Sequence, residues 1–200
     1  MKIYDISQEV FGCAVYPGDP APEKRVLNDM GQGALYQLTA FSMCAHNGTH
    51  VDAPAHFLKE GKTVDQMSLE QFVGSAYVAA GCGTLGEQEA TAILEKARSM
   101  APESANRILI KGPAVVSEEA AKVFAEAGTL LVGNESQSVG PEKAPMAVHL
   151  ILLNAGCALL EGVRLEAVPE GVYFLSAAPL LLGSTEGAPC RAVLIEGIWG

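Results

Sequence analysis

The chain has 200 residues, enough for one domain, and its 49% hydrophobic and 18% charged residues build a full core rather than a disordered ensemble. A formal net charge of −10 argues against nucleic acid or an anionic membrane surface as partner, since both demand a basic face. The opening "MKIYDISQEV" lacks the apolar stretch of a signal peptide, "PMAVHLILLNAGCALLEGV" is too short and too interrupted to span a bilayer, and five scattered cysteines form no CxxC pair, so the expectation is a cytoplasmic protein with small thiols in a reducing compartment.

Residues 1–6 alternate weakly and read as a first strand, followed by a turn-rich stretch centred on "YPGDP" (16–20). Residues 34–44, "ALYQLTAFSMC", read as a strand leading directly into "HNGTHVDAPAHF" (46–57). In "MSLEQFV", Ser68 and Gln71 stand at capping-box spacing and predict a short helix; "SAYVAAG" is then a strand. Helical spacing covers 87–100, and "RILIKG" (107–112) is a compact buried strand. The segment 117–128 has a serine cap, acids in its first turn and a glycine stop, and is the clearest helix. "TLLVG" follows as a strand, a helix runs around 145–154 and ends near Gly156, and the last third alternates apolar strands with Gly/Pro turns. Strands and helices alternating in the middle, with strands at both ends, imply one α/β domain over 1–200: a mixed β-sheet with flanking helices.

Three of the four histidines lie within residues 46–57, with an aspartate between them. Gly48, the β-branched Thr49 and Val51, and Pro54 oppose a helix here. In an extended chain residues of one parity share a side, so His46, His50, Asp52 and His56 could converge, with Gly48 leaving room for an ion. Turns beyond Pro54 make His56 the least firmly placed of the four. A lone histidine is usually a surface or satisfied core residue. Three beside a same-side aspartate, in a segment too apolar to be a solvated face, point to metal binding or catalysis. The fourth histidine, His149, lies in the apolar "MAVHLILLNAG", and Glu161 ends "GCALLEG". Alone these would be a buried histidine bonded to backbone and a solvated carboxylate. With the cluster present, Asp52 and Glu161 could bridge two cations while His149 completes a second site.

"HNGTHVDAPAHF" resembles the HxGTHxDxPxH signature of the cyclase family of metal-dependent hydrolases, whose best-known member type is bacterial kynurenine formamidase (arylformamidase). The likeness extends to "YPGDP", "VGNESQSVG", "VHLILLNAGCALLEGV" and "GSTEGAPCRAV", and so to nearly the whole chain. It implies His46 and His50 as ligands of one metal, His149 of a second, Asp52 and Glu161 as shared carboxylates, and His56 as proton donor and acceptor. It also implies a swivelling β/β/α fold, usually seen as a dimer, so that a homodimer or higher homo-oligomer is expected, and a small-molecule amide as substrate. One or two Zn2+ or Mn2+ ions suit the mixed His/carboxylate set. Such ions lower the pKa of a bound water to about 7, and His56 could carry its proton to the leaving nitrogen. Two positions depart from the pattern. Tyr16 stands where kynurenine formamidases place a substrate-stacking tryptophan, keeping an aromatic face of smaller area, and Glu135 stands where many relatives carry aspartate. The acyl and leaving groups therefore stay open among aryl formamides, isatin-like cyclic amides and other amides.

Other readings compete. "GCGTLG" (81–86) fits a GxGxxG dinucleotide turn, but the next strand offers Lys111 instead of an acid for the ribose, and a Thr84–Glu87 capping box explains part of it structurally. The sequence has no GxSxG elbow for a serine hydrolase. A metal-binding protein without catalysis would not need His56.

Overall fold

A computed structural model of the chain describes residues 1–197. Its centre is a parallel set of strands: β5 (Val73–Ala80), β7 (Arg107–Lys111), β9 (Leu131–Asn134) and β10 (Ala158–Glu161), adjacent in that order. Parallel neighbours need crossovers, and three helices supply them. These are α1 (Glu87–Met100), α2 (Glu118–Glu126) and α3 (Met146–Asn154). The run "RILIK" is apolar without alternation because both faces of β7 are covered. Ile108 and Ile110 pack with Leu94, Phe124 and Leu152 of the helices, while Leu109 faces Ile6, Phe72, Leu160 and Leu165 on the other side.

Antiparallel strands extend both edges. On one side stand β11 (Gly171–Ser176), β13 (Val193–Glu196) and β1 (Lys2–Asp5); on the other β4 (His50–Asp52) and β12 (Gly187–Pro189), giving nine strands in the order β1-β13-β11-β5-β7-β9-β10-β4-β12. The expected mixed sheet with flanking helices is present, and α2 carries its serine cap, with Ser117 accepting from the Ala120 N–H at 3.2 Å.

Several local expectations change. The strand expected over 34–44 is confined to β3 (Leu38–Ser42). It pairs with a strand the sequence did not announce, β2 (Glu23–Asn28), in an exposed arm apart from the main sheet. Turns then separate it from β4. Ser68 caps only one 3-10 turn, Leu69–Gln71, and Gln71 does not close a capping box: its amide donates to Gly156 O at 2.8 Å. Helix α1 starts two residues later than a Thr84 cap requires, so Glu89, not Glu87, reaches back to the Gly86 N–H at 3.0 Å.

The glycine turn at 81–86 serves packing. Residues 83–85 form β6 (Gly83–Leu85), paired with β8 (Ala114–Val116), and a Cβ on Gly81 would lie 2.8 Å from Ile110 Cγ2. Of the five free cysteines Cys157 is buried, Cys82 is exposed and Cys13, Cys44 and Cys190 are intermediate.

Candidate metal centre

Strand β4 is held on both sides. Antiparallel pairing with β10 sets Glu161 opposite His50, and pairing with β12 sets Gly187 opposite Asp52. His50 and Asp52, two residues apart on a strand, project to one face, and Glu161 meets them there. Only these two cluster residues are arranged by strand alternation. His46 comes from the turn Cys44–Asn47, closed by the Asn47 N–H on Cys44 O at 3.2 Å and by Asn47 Oδ1 accepting from the Cys44 N–H at 2.7 Å. Gly48 leaves that turn at φ +64, and a Cβ there would lie 2.9 Å from the Cys13 Cβ. The room it provides is therefore for the Cys13 and Gln8 side chains, not for an ion. His56 sits on a 3-10 turn, Pro54–His56, opened by a proline at its first position. The chain thus reaches the expected convergence by turns on either side of a three-residue strand, not by one extended segment.

His149 enters from α3. Its Nδ1 donates to Pro145 O at 2.8 Å, since a carbonyl can only accept, and this directs Nε2 to Glu161 Oε1 at 3.2 Å and Asp52 Oδ2 at 3.5 Å. His50 is fixed the same way: Nδ1 donates to Gly48 O at 3.0 Å, and Nε2 lies 3.5 Å from both Asp52 Oδ1 and Glu161 Oε2. His46 Nδ1 is 2.8 Å from Asp52 Oδ1. Two trios result, His46–His50–Asp52 and Asp52–His149–Glu161: Asp52 is common to both, whereas Glu161, expected to be shared as well, falls in one, with its Oε2 3.5 Å from His50 of the other. His56 belongs to neither. Its Nε2 stays 4.0 Å from Asp52 Oδ2, and its ring stacks on His46 with centroids 4.1 Å apart.

Asp52 and Glu161 are 1% and 2% exposed, and no lysine or arginine approaches them among the described residues. Two buried carboxylates without cationic partners are costly, so the pocket calls for positive charge. In the metal-free protein histidines supply it. Burial pulls the His149 imidazole down, yet hydrogen bonds to Asp52 and Glu161 prevail and raise it to about 10. Burial likewise opposes charge on His46 and His50, and their carboxylate partners raise both. Burial would raise Asp52, but hydrogen bonds from His149 and His46 hold it well below the usual carboxylate range. His56 goes the other way, lowered chiefly by burial, and is neutral at physiological pH.

The residues fit a divalent cation. Asp52 Oδ2 and His46 Nε2 are buried, and their nearest polar contacts among the described residues are long, 3.5 Å to His149 Nε2 and to Glu186 Oε1, which leaves both able to act as ligand atoms; the nitrogen and oxygen donors suit such ions.

A cavity of about 290 Å3 opens beside the trios, walled by Tyr16, Phe57, Gln137 and Pro145 and lined at its base by His56 and His149. The Tyr16 hydroxyl donates to Glu142 O at 2.9 Å, joining the loop after β1 to the loop before α3. Glu135 lies outside the centre: its carboxylate accepts from the Gly112 N–H at 2.6 Å and the Leu165 N–H at 2.8 Å, tying two loops together. Three groups near the site escaped the sequence reading. Asp19 and Gln137 line the cavity, and Glu186 Oε1 lies 3.5 Å from His46 Nε2. Each sits in a segment whose family likeness was legible, "YPGDP", "VGNESQSVG" and "GSTEGAPCRAV", but solitary acids and amides carry no spacing signal.

A family model described as "Putative cyclase" matches residues 4–141. A kynurenine formamidase of Erythrobacter litoralis is 30% identical over 209 residues, spanning 98% of this chain and 94% of that protein. Its counterpart in Salinibacter ruber is 32% identical over 218 residues, spanning 97% of each. A solved structure described as a predicted metal-dependent hydrolase from Bacillus stearothermophilus aligns with a TM-score of 0.78 at 26% identity, covering 96% of this chain and 97% of that one. Isatin hydrolase A from Labrenzia aggregata shares the fold, with a TM-score of 0.81 at 20% identity over 98% and 94% of the two chains.

Proposed function

Because this chain belongs to the cyclase family of metal-dependent hydrolases, we propose that it hydrolyses the C–N bond of a small non-peptide amide, of the aryl formamide or cyclic imide kind, at the two trios around Asp52. The observation that carries this reading is His56 held against the trios, yet outside both, and lining the cavity. A protein that only stored metal would gain nothing from it.

One ion would be held by His46, His50 and Asp52 and a second by Asp52, His149 and Glu161; zinc or manganese suits these donors. When bound, such ions supply Lewis acidity that polarises a carbonyl oxygen and makes water a stronger acid. The chain's own residues do the rest. Hydrogen bonds to Gly48 O and Pro145 O keep His50 and His149 turned with Nε2 inward, so neither ring needs to reorient during turnover. An amide nitrogen leaves poorly unless protonated. His56, uncharged in the resting protein, can accept a proton from water and deliver it to that nitrogen. Tyr16 and Phe57 supply aromatic faces for the rest of the substrate.

The reading includes a homodimer in the cytoplasm. The β2–β3 arm exposes Val26, Met30, Leu35 and Phe41, and a two-stranded hairpin is marginal alone in water. A second copy would cover it. Five free cysteines suit a reducing compartment, and no helix among the described residues is long and apolar enough to cross a membrane.

The test is metal analysis of the purified protein combined with a hydrolysis panel of aryl formamides, isatin and cyclic imides. Turnover that disappears with chelation and returns with zinc or manganese is expected. Filled metal sites without turnover of any panel member would favour a binding-only protein.

A further inference from the structure

The sequence Tyr16–Pro17–Gly18–Asp19 folds into a tight turn. The Asp19 N–H donates to Tyr16 O at 3.0 Å, and Gly18 takes φ +101 after a proline, the signature of a type II turn. Such a turn brings its first and fourth residues together. Both Tyr16 and Asp19 line the cavity, so an aromatic face and a carboxylate are presented side by side. Among the described residues the Asp19 carboxylate accepts from one side chain, the Cys44 thiol at 3.9 Å, a weak donor at a long distance. Its acceptor capacity is otherwise free to meet a ligand.

Charge in the rest of the lining has one sign. Apart from the histidines of the trios and His56, the carboxylates lining it are Asp19 and the ligand Glu161, and no lysine or arginine lines the cavity among the described residues. Just outside, Glu186 adds another negative group beside His46. An anionic substituent would lose hydration next to Asp19, where no lysine or arginine among the described lining residues compensates it. An ammonium would find a carboxylate to pair with and an aromatic face to lie against.

We propose that Asp19 is a specificity-determining residue that selects amide substrates bearing a protonated amine and disfavours those bearing a carboxylate. This rests on the amide-hydrolase reading and narrows its substrate class. Tyr16 sets the depth and aromatic face of the subsite, and Asp19 sets its charge preference.

The experiment uses three aryl formamides of matched size carrying an aminomethyl, a methyl or a carboxylate group at one ring position. Each is assayed with the zinc-loaded wild type, D19N and D19K. Wild-type kcat/KM should favour the ammonium over the neutral compound about tenfold, a difference worth about 1.4 kcal/mol, with the carboxylate poorest. D19N should bring the ammonium-to-neutral ratio to within about twofold of unity, and D19K should invert the order of the two charged compounds. A ratio unchanged in D19N, or a wild-type preference for the carboxylate, would overturn the assignment. A second readout needs no turnover: ligand-detected NMR of benzylammonium and benzoate binding to the same proteins. If no formamide is hydrolysed but benzylammonium binds the wild type and is lost in D19N, the charge assignment stands and the amide-hydrolase reading falls. Equal binding of both ligands to wild type and D19N would overturn the assignment itself.

Discussion

Gly187 is where a single methyl group tests the whole arrangement. It lies opposite Asp52 in the β12–β4 pairing, and a Cβ built there would stand 2.7 Å from His46 Cε1 and 2.9 Å from the Val51 carbonyl oxygen. The carbonyl belongs to a paired strand and cannot give. The imidazole would have to move instead, by several tenths of an ångström to reach ordinary contact. It has little space to do so, with the His56 ring stacked 4.1 Å away and Asp52 Oδ1 at 2.8 Å from Nδ1. Overpacking of this kind costs about 1–3 kcal/mol. For a chain of this size each kcal/mol lowers Tm by about 2–4 °C, so Gly187→Ala should melt about 2–12 °C below wild type. Metal sites tolerate displacements of only about 0.2 Å, so zinc affinity should fall at least about tenfold. Gly183→Ala is the control, because a Cβ there meets nothing within 4 Å. Thermal melts of both variants with chelator and with excess zinc decide the matter. If Gly187→Ala melted within 1 °C or so of Gly183→Ala in both conditions, the claim that this glycine makes room for His46 would be wrong.

Other outcomes follow from the same geometry. His56→Asn should keep its metal and lose about 10²–10⁴-fold in kcat/KM, or about 2.7–5.5 kcal/mol of barrier lowering, and a loss under threefold would refute the proton-carrier role. Asp52 is shared and Glu161 belongs to one trio, so elemental analysis should find Asp52→Asn stripped of both ions and Glu161→Gln of one; equal contents in the two variants would contradict the sharing. Far from the site, hydrogen bonds from Lys96 and from the Tyr77 hydroxyl, the latter at 2.9 Å, hold the Glu170 carboxyl below its usual range. A lowered folded-state pKa gives stability that is present above the unfolded value near 4.3 and lost as pH falls through the folded one. Wild type should therefore lose more Tm than Glu170→Gln between about pH 6 and pH 3, and parallel curves would show that the contact adds nothing.

The histidine cluster was legible because its residue types are rare in this chain and crowded together. The geometry inferred for it was only partly right. Equal parity predicted one side for His46, His50, Asp52 and His56, yet only His50 and Asp52 lie on a strand. Gly48 and Pro54 turn the chain immediately before and after, and they return His46 and His56 to the same pocket by routes that period-two alternation does not describe. His149 and Glu161 could be suspected but not placed, because register between β4 and β10 is a pairing across more than a hundred residues. Strand β2 was missed for a related reason. Five of its six residues are exposed, so no buried face imposed an apolar alternation on "EKRVLN". The helices were the easy part, since caps, acids and glycine stops are local signals that need no partner.

The burial pattern divides the centre into two kinds of group. His50, Asp52, His149 and Glu161 are each no more than 3% exposed and stand on a doubly paired strand, its neighbour and a helix. His46, His56 and Tyr16 stand on turns and are only partly buried; of these only His46 belongs to a ligand trio, and its Nδ1 contact with Asp52 Oδ1 at 2.8 Å ties it to the rigid strand. Ligands must hold fixed positions, and regular elements paired on both sides provide them. A proton carrier and a substrate wall must instead face the cavity and exchange with solvent between turnovers. Placing them on turns beside a rigid strand satisfies both demands with residues only a few positions apart. This explains why one dodecapeptide can carry ligands and acid–base group together: Gly48 and Pro54 divide it into a fixed centre and two flanks open to the cavity.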